Sequence, residues 1–267
     1  IYRVLVPLPE NPLRSLNSYV IMTEERNLVI DTGFNREECY GALTEGLDEL
    51  GIDIEDTDFF ITHFHGDHCG TVGRSADERS RIFMSEKDYS YLVGDFEDAT
   101  WEGIESVYVE EGFPTDIVCR LKSSNQAKKY RPDRLFKAVT LQDRDVIRLG
   151  DAELVCMLTP GHTPGHMCLY LPEKKILFSG NAFGRFCALE RTARAPWAPQ
   201  ARRYYYNIVG KYGSQVQALL KKVSALEIKT ICPLHGPMLT EGLEEYLRLY
   251  DLWSQWKPEE PESILIA

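Results

Sequence analysis

The chain has 267 residues, a net charge of −11 and a pI near 5.1. That balance argues against nucleic acid as a main partner, because an acidic surface repels a phosphate backbone. The length suits one large two-layered α/β unit, and no stretch is apolar for the length a membrane span needs.

The opening Ile1-Tyr-Arg-Val has no signal-peptide shape, and the absence of a leading Met suggests that this chain begins after the true start. Seven cysteines (Cys39, Cys69, Cys119, Cys156, Cys168, Cys187 and Cys232) are scattered and form no C-x-x-C. An odd, dispersed set is expected as reduced thiols, hence a cytoplasmic protein. Tyr2–Val6 is strand-like and is broken by Pro7, Pro9 and Pro12. Ser18–Thr23 and Asn27–Asp31 form a hairpin around Glu24-Glu25-Arg26. Asp31 is expected as a structural hydrogen-bonder beneath the next motif. Arg36–Leu50 places Leu43, Leu47 and Leu50 at helical spacing and stops at Gly51.

The run Asp58-Phe59-Phe60-Ile61 then reads as a buried strand leading into Thr62-His63-Phe64-His65-Gly66-Asp67-His68. In an extended segment residues two apart point the same way, so His63 and His65 can grip one ion together. Asp67 and His68 follow at a Gly-relaxed turn and can face a second ion. Imidazole and carboxylate suit borderline divalent metals such as zinc and iron. Cys69 is expected as a small buried residue behind the ligands.

Arg81–Ser85 reads as a strand and Glu86–Val93 as a short helix. Residues 94–140 are the least patterned part, with a helix expected over Trp101–Glu111 and a loop near Ser123-Ser124-Asn125. Tyr89, Trp101 and Tyr130 either line a pocket there or pack. A second strand set follows: Asp145–Leu149, Glu153–Leu158, His166–Leu171 and Lys175–Ser179. His162 and Asn181 each fall just past a strand. Arg185, Arg191, Arg194, Pro196, Trp197 and Pro199 suggest a covering loop. Arg202–Glu227 is predicted as one long amphipathic helix, and the Tyr204-Tyr205-Tyr206 cluster at its start either donates a phenol to the site or packs. Ile228–Cys232 is a last strand delivering His235, and Glu241–Trp256 a closing helix. Lys257–Glu262 reads as a stiff polar linker, and Ser263–Ala267 as the opening of another strand.

All six histidines of the chain fall in three short motifs: His63, His65 and His68; His162 and His166; and His235. His166 is expected to pack behind the site, because His162 fills the obvious ligand slot. The combination of H-x-H-x-D-H, a Gly-His about 100 residues on, Ser179-Gly-Asn181 and Leu234-His-Gly236 resembles the metallo-β-lactamase superfamily over nearly the whole chain. The resemblance implies an αββα sandwich with two metals at one end. It implies His63, His65 and His162 on one ion, Asp67 and His235 on the other, His68 as a ligand in the hydrolase branch, and position 181 as the bridge.

Leu177–Gly184, Tyr205–Ile208 and Ile231–Met238 are most similar to flavodiiron proteins, the di-iron oxygen and nitric oxide reductases. Two positions depart from that pattern: His65 stands where those sites usually have Glu, and Asn181 where they have a bridging Asp. The combination resembles oxygen-binding diiron proteins, relatives associated with oxygen sensing. A unit charge 4 Å away is worth roughly 4 kcal/mol at an effective dielectric near 20. Two missing carboxylates would therefore favour the ferrous state and tighten the hold on a bound anion.

The expectation is a di-metal domain over residues 1–256, with a linker and the possible start of a flavodoxin-like domain in 257–267. It would hold two Fe ions, with Zn as the alternative, and no FMN in this chain. It would bind O2 or NO for oxygen sensing or slow reduction fed by an external donor. The resemblance further implies a homodimer; a redox or signalling protein partner is a further expectation, and the lack of a long apolar stretch predicts no membrane partner. The opposing expectation is a binuclear zinc hydrolase of the thioesterase or lactonase type. A metal-binding module without chemistry is a third.

Overall fold

A computed structural model describes residues 1–94, 96–123, 129–134, 136–186 and 197–259, with backbone alone for 96–101. Its strands form two sheets. The first holds β1 (Tyr2–Pro7), β2 (Ser15–Met22), β3 (Asn27–Ile30), β4 (Thr57–Ile61), β5 (Ile82–Ser85) and β6 (Ala138–Leu141), in sequence order. Pairing is antiparallel from β1 to β3 and parallel from β3 to β6. The second sheet runs β11 (Thr230–Cys232), β10 (Ile176–Phe178), β9 (Met167–Leu171), β8 (Ala152–Leu158) and β7 (Val146–Leu149). It is antiparallel except for the β10–β11 pair.

Alternating side chains show how the sheets stack. Along β9, Met167, Leu169 and Leu171 enter a core shared with β1 to β5, while Cys168 and Tyr170 enter a second core on the opposite face. Along β8, Leu154 and Cys156 divide from Val155 and Met157 in the same way. Period-two alternation with both faces apolar is what a sheet covered on both sides requires. β4 is buried at every position. Each Phe there contributes roughly 1.5–3 kcal/mol by leaving water.

Helices cover the outer faces. α1 (Glu37–Glu49) buries Cys39, Leu43 and Leu47 in the shared core, matching the helical spacing read from the sequence. Two single turns, α2 (Gly66–Cys69) and α3 (Val72–Ser75), follow β4, and α4 (Glu86–Val93) follows β5. The weakly patterned region holds α5 (Phe96–Glu110) and also α6 (Thr115–Ser123) and β6, neither of which was expected. Only Val118 of α6 is buried, so it lacks the apolar stripe that would announce it.

The long helix expected over Arg202–Glu227 is two helices. α7 (Trp197–Ile208) and α8 (Gly213–Val223) are separated by a 3-10 turn at Gly210–Tyr212. A Cβ at Gly213 would lie 2.4 Å from the carbonyl oxygen of Ser254, at the end of α9 (Leu243–Ser254). The break lets α8 pack on α9 through Val216, Leu219, Leu249 and Trp253. Trp197 and Pro199 open α7 instead of belonging to a loop, and Cys187, Arg191, Arg194 and Pro196 lie outside the described residues. Glu259, in the expected linker, accepts from Arg202 at 2.6 and 2.7 Å and from the Trp253 indole at 2.7 Å; residues 260–267 lie outside the described set. Among the described residues no helix is long and apolar enough to cross a membrane.

Candidate metal centre

The candidate ligands are gathered at one rim of the sandwich, each just past the C-terminal end of a strand. β4 delivers His63, and α2 carries Asp67 and His68 one turn later. β8 leads to His162, β10 to Asn181 and β11 to His235. Three groups of possible donors result: His63, His65 and His162; Asp67, His68 and His235; and Asp31, His63 and His68, in which Asp31 lies behind the rings.

In the second group His68 Nε2 lies 3.3 Å from His235 Nε2 and 3.4 Å from Asp67 Oδ2. His235 Nε2 lies 3.6 Å from Asp67 Oδ2. Tetrahedral bonds of about 2.1 Å separate neighbouring donors by roughly 3.4 Å, so the triangle has the size of a cation's coordination face. In the first group His65 Nδ1 is 3.0 Å from His162 Nε2. The Asn181 amide nitrogen is 2.9 Å from His162 Nε2 and 3.5 Å from His63 Nε2. All seven residues singled out from the sequence are therefore brought to one rim. His68 belongs with Asp67 and His235, as a full H-x-H-x-D-H set requires.

Hydrogen bonds behind the rings decide which nitrogens face inward. His235 Nδ1 donates to the carbonyl of Ser15 at 3.0 Å, and His162 Nδ1 to the carbonyl of Ile208 at 3.2 Å. His68 Nδ1 donates to Asp31 Oδ2 at 2.6 Å. Thr62 donates its hydroxyl to Asp31 at 2.6 Å and so accepts from His63 Nδ1 at 3.0 Å. Each Nδ1–H being committed, the four Nε2 atoms converge with the Asp67 carboxylate. Lone pairs this close repel unless a cation or proton lies among them. The buried Asn181 Oδ1 likewise has no hydrogen-bond partner. The donor set thus fits divalent cations.

Electrostatics agree. Burial, reinforced by neighbouring imidazoles, holds His63 and His162 well below the usual histidine range; burial likewise brings His65 down to about 4. These rings are neutral, as ligation demands. Burial would raise Asp67, but His68 and His235 hold it well below the usual carboxylate range. Burial also disfavours a charged His68, yet Asp67 and Asp31 raise it to about 9.

His166 is not positioned to ligate. Its Nδ1 faces Thr159 Oγ1 at 2.9 Å, and its Nε2 accepts from the backbone N–H of Asn181 at 3.0 Å. The Tyr204 hydroxyl donates to the Asn181 carbonyl at 3.2 Å, so the phenol considered for the site holds the backbone beside it instead. Tyr205 packs among Tyr206, Tyr250 and Trp253. Tyr89 donates to Phe136 O at 2.7 Å and the Tyr130 ring packs tilted against Phe34, so both pack; the Trp101 side chain is not among those described. Cys69 is buried with its thiol raised by desolvation, as expected of an inert packing group.

Sequence reasoning missed the carbonyl of Ile208, which the break between α7 and α8 leaves free for His162. It missed Asn17, whose amide donates to Pro233 O at 2.9 Å and Gly236 O at 2.7 Å and so clasps both sides of His235. It also missed Asp88, a fully buried carboxylate in α4. None of these carries a local sequence signal, because each acts on residues distant in the chain.

The profile of the Metallo-beta-lactamase superfamily matches residues 12–235. The chain belongs to the metallo-β-lactamase superfamily. Its members bind a dinuclear metal site, which the two donor groups match. The chain is 27% identical over 248 residues to an uncharacterized protein of Methanocaldococcus jannaschii, covering 90% of this chain and 53% of that one. It is 26% identical over 244 residues to the human acyl-coenzyme A thioesterase MBLAC2, covering 87% of this chain and 76% of the relative. The flavodiiron protein of Giardia intestinalis superposes with a TM-score of 0.67 at 20% identity, over 96% of this chain and 57% of that structure. This likeness shows a shared fold. The chain spans about half the length of the archaeal relative and of the Giardia structure.

Proposed function

We propose that the chain is a di-iron protein that binds O2 or NO, serving oxygen sensing or a slow reduction supplied by an external electron donor. The observation that carries the reading is Asn181, a neutral amide against His162 and His63. With His65 in the first group, it leaves Asp67 as the one carboxylate in the two groups that face inward, Asp31 being committed to Thr62 and His68. A pair of ferrous ions bound there would supply the electrons for O2 or NO chemistry. The residues make that pair electron-poor: neutral nitrogen donors offset less positive charge than carboxylates and favour the lower oxidation state. His166 and Tyr204 fix Asn181 from both sides of its backbone, so its amide does not swing away. An amide cannot take a proton, which weakens a hydrolytic role for position 181. The sequence likeness of Leu177–Gly184 and Ile231–Met238 to flavodiiron proteins adds support.

A second reading, a binuclear zinc thioesterase, draws on the complete H-x-H-x-D-H set, with His68 Nε2 beside Asp67, and on the similarity to the human thioesterase. Anaerobic purification and metal analysis separate the two. The di-iron reading expects two iron per chain and a new visible absorption band on admitting air to the ferrous protein, without acyl-CoA hydrolysis. Zinc occupancy with thioester turnover, or ferrous protein that stays colourless in air, would overturn it.

A further inference from the structure

Asp88 is a buried carboxylate with no cationic partner among the described residues, whereas the buried Asp58 is held by Arg26 and Arg81. Burying an unpaired charge is costly unless hydrogen bonds compensate it. Asp88 has three such bonds across the fold. Oδ1 accepts from the backbone N–H of Gly165 at 2.6 Å; Oδ2 accepts from the Thr163 hydroxyl at 2.5 Å and from the Phe64 N–H at 3.3 Å. Ser85 caps α4 by accepting from the Asp88 N–H at 3.1 Å, which fixes the carboxylate's own backbone.

The partners are not arbitrary. Phe64 lies between His63 and His65, and Thr163 directly follows His162. One carboxylate therefore joins the two loops that supply the first donor group, which are far apart in sequence. The approach is as close as the backbone allows: a Cβ at Gly165 would lie 2.6 Å from Asp88 Oδ1 and 2.2 Å from Ser85 Oγ. The second donor group has its own supports, Asp31 behind His68 and Ser15 behind His235, and Asp88 is bonded to neither.

We propose that Asp88 is a positioning residue for one ion: it sets the separation of the His63–His65 loop from the His162 loop and thereby the affinity of the first site, leaving the second unaffected. The proposal rests on the metal-centre reading above but not on the identity of the metal or its reaction. Outer partners of metal ligands typically change metal affinity by about 10–100-fold when removed.

The test uses Co2+ and two half-site proteins, His235→Ala, which retains the first group, and His65→Ala, which retains the second. Asp88→Asn keeps the shape but turns a donor toward the Phe64 N–H. It is expected to weaken Co2+ binding tenfold or more in the His235→Ala background and by less than about twofold in the His65→Ala background. Thr163→Val, which removes one bond and leaves Asp88 in place, is expected to act in the same direction and more weakly, and it decides the matter if Asp88→Asn does not fold. Asp58→Asn serves as a control that lowers the melting temperature without separating the two backgrounds. An equal loss at both sites, or none at the first, overturns the role of Asp88. Unsubstituted protein that takes up no Co2+ overturns the metal-centre reading and this role together.

Discussion

Asp31 Oδ2 lies 2.6 Å from His68 Nδ1, and the same oxygen accepts the Thr62 hydroxyl that in turn orients His63. One carboxylate thus aligns a histidine from each donor group. Asp31 adopts φ +58°, a left-handed conformation that costs a non-glycine residue roughly 1–2 kcal/mol. Its other oxygen accepts from the Thr62 backbone at 2.7 Å, which compensates for that cost. Asp31→Ala leaves the buried Thr62 N–H without a partner and should destabilise the fold by about 1–3 kcal/mol. Both ions should bind about tenfold more weakly or worse. Urea unfolding and a chelator competition check the two effects.

The charge on His68 predicts a pH dependence. In the metal-free protein Asp67 and Asp31 hold its pKa up at about 9 against the opposing effect of burial, so at neutral pH the ring carries a proton that a cation must displace. Affinity at the second site should rise about tenfold per pH unit toward pH 9 and level off above it. The sign for stability is opposite. A raised pKa stabilises the metal-free fold fully below the ordinary value near 6.5, and that contribution disappears as pH rises through about 9. Calorimetry in two buffers of different ionisation enthalpy counts the released proton; no release at pH 7 would remove His68 from the ligand set.

Asn181→Asp tests the electronic argument. A full negative charge 4 Å from an ion is worth up to roughly 4 kcal/mol at an effective dielectric near 20. The substituted, iron-loaded protein should show a lower reduction potential and faster O2 consumption with an external donor. Potentiometry that finds no shift would separate position 181 from the redox behaviour.

Gly213→Ala tests the break that frees the Ile208 carbonyl. Its Cβ would meet Ser254 O at 2.4 Å, so α8 must move from α9. Overpacking of this kind costs about 1–3 kcal/mol. The melting temperature should fall by several degrees, and metal at the first site should be lost before metal at the second.

Composition and local pattern determined much of this protein. Strand-then-ligand spacing singled out His63, His65, Asp67, His68, His162 and His235 as ligand candidates, because a metal site at a sheet rim needs ligands just past strand ends. β-branched and aromatic runs marked most strands, and Leu spacing marked α1. Only the tertiary structure decided what acts across distance. Whether His68 joins Asp67 and His235, whether Tyr204 serves the site or the backbone of Asn181, and what Asp88 holds all depend on hydrogen bonds between residues remote in the chain. The break between α7 and α8 was hidden for the same reason: the periodicity of 202–227 runs through Gly210 and Gly213, and it is the Ser254 carbonyl at the end of α9, remote in the chain, that leaves no room for a side chain at Gly213.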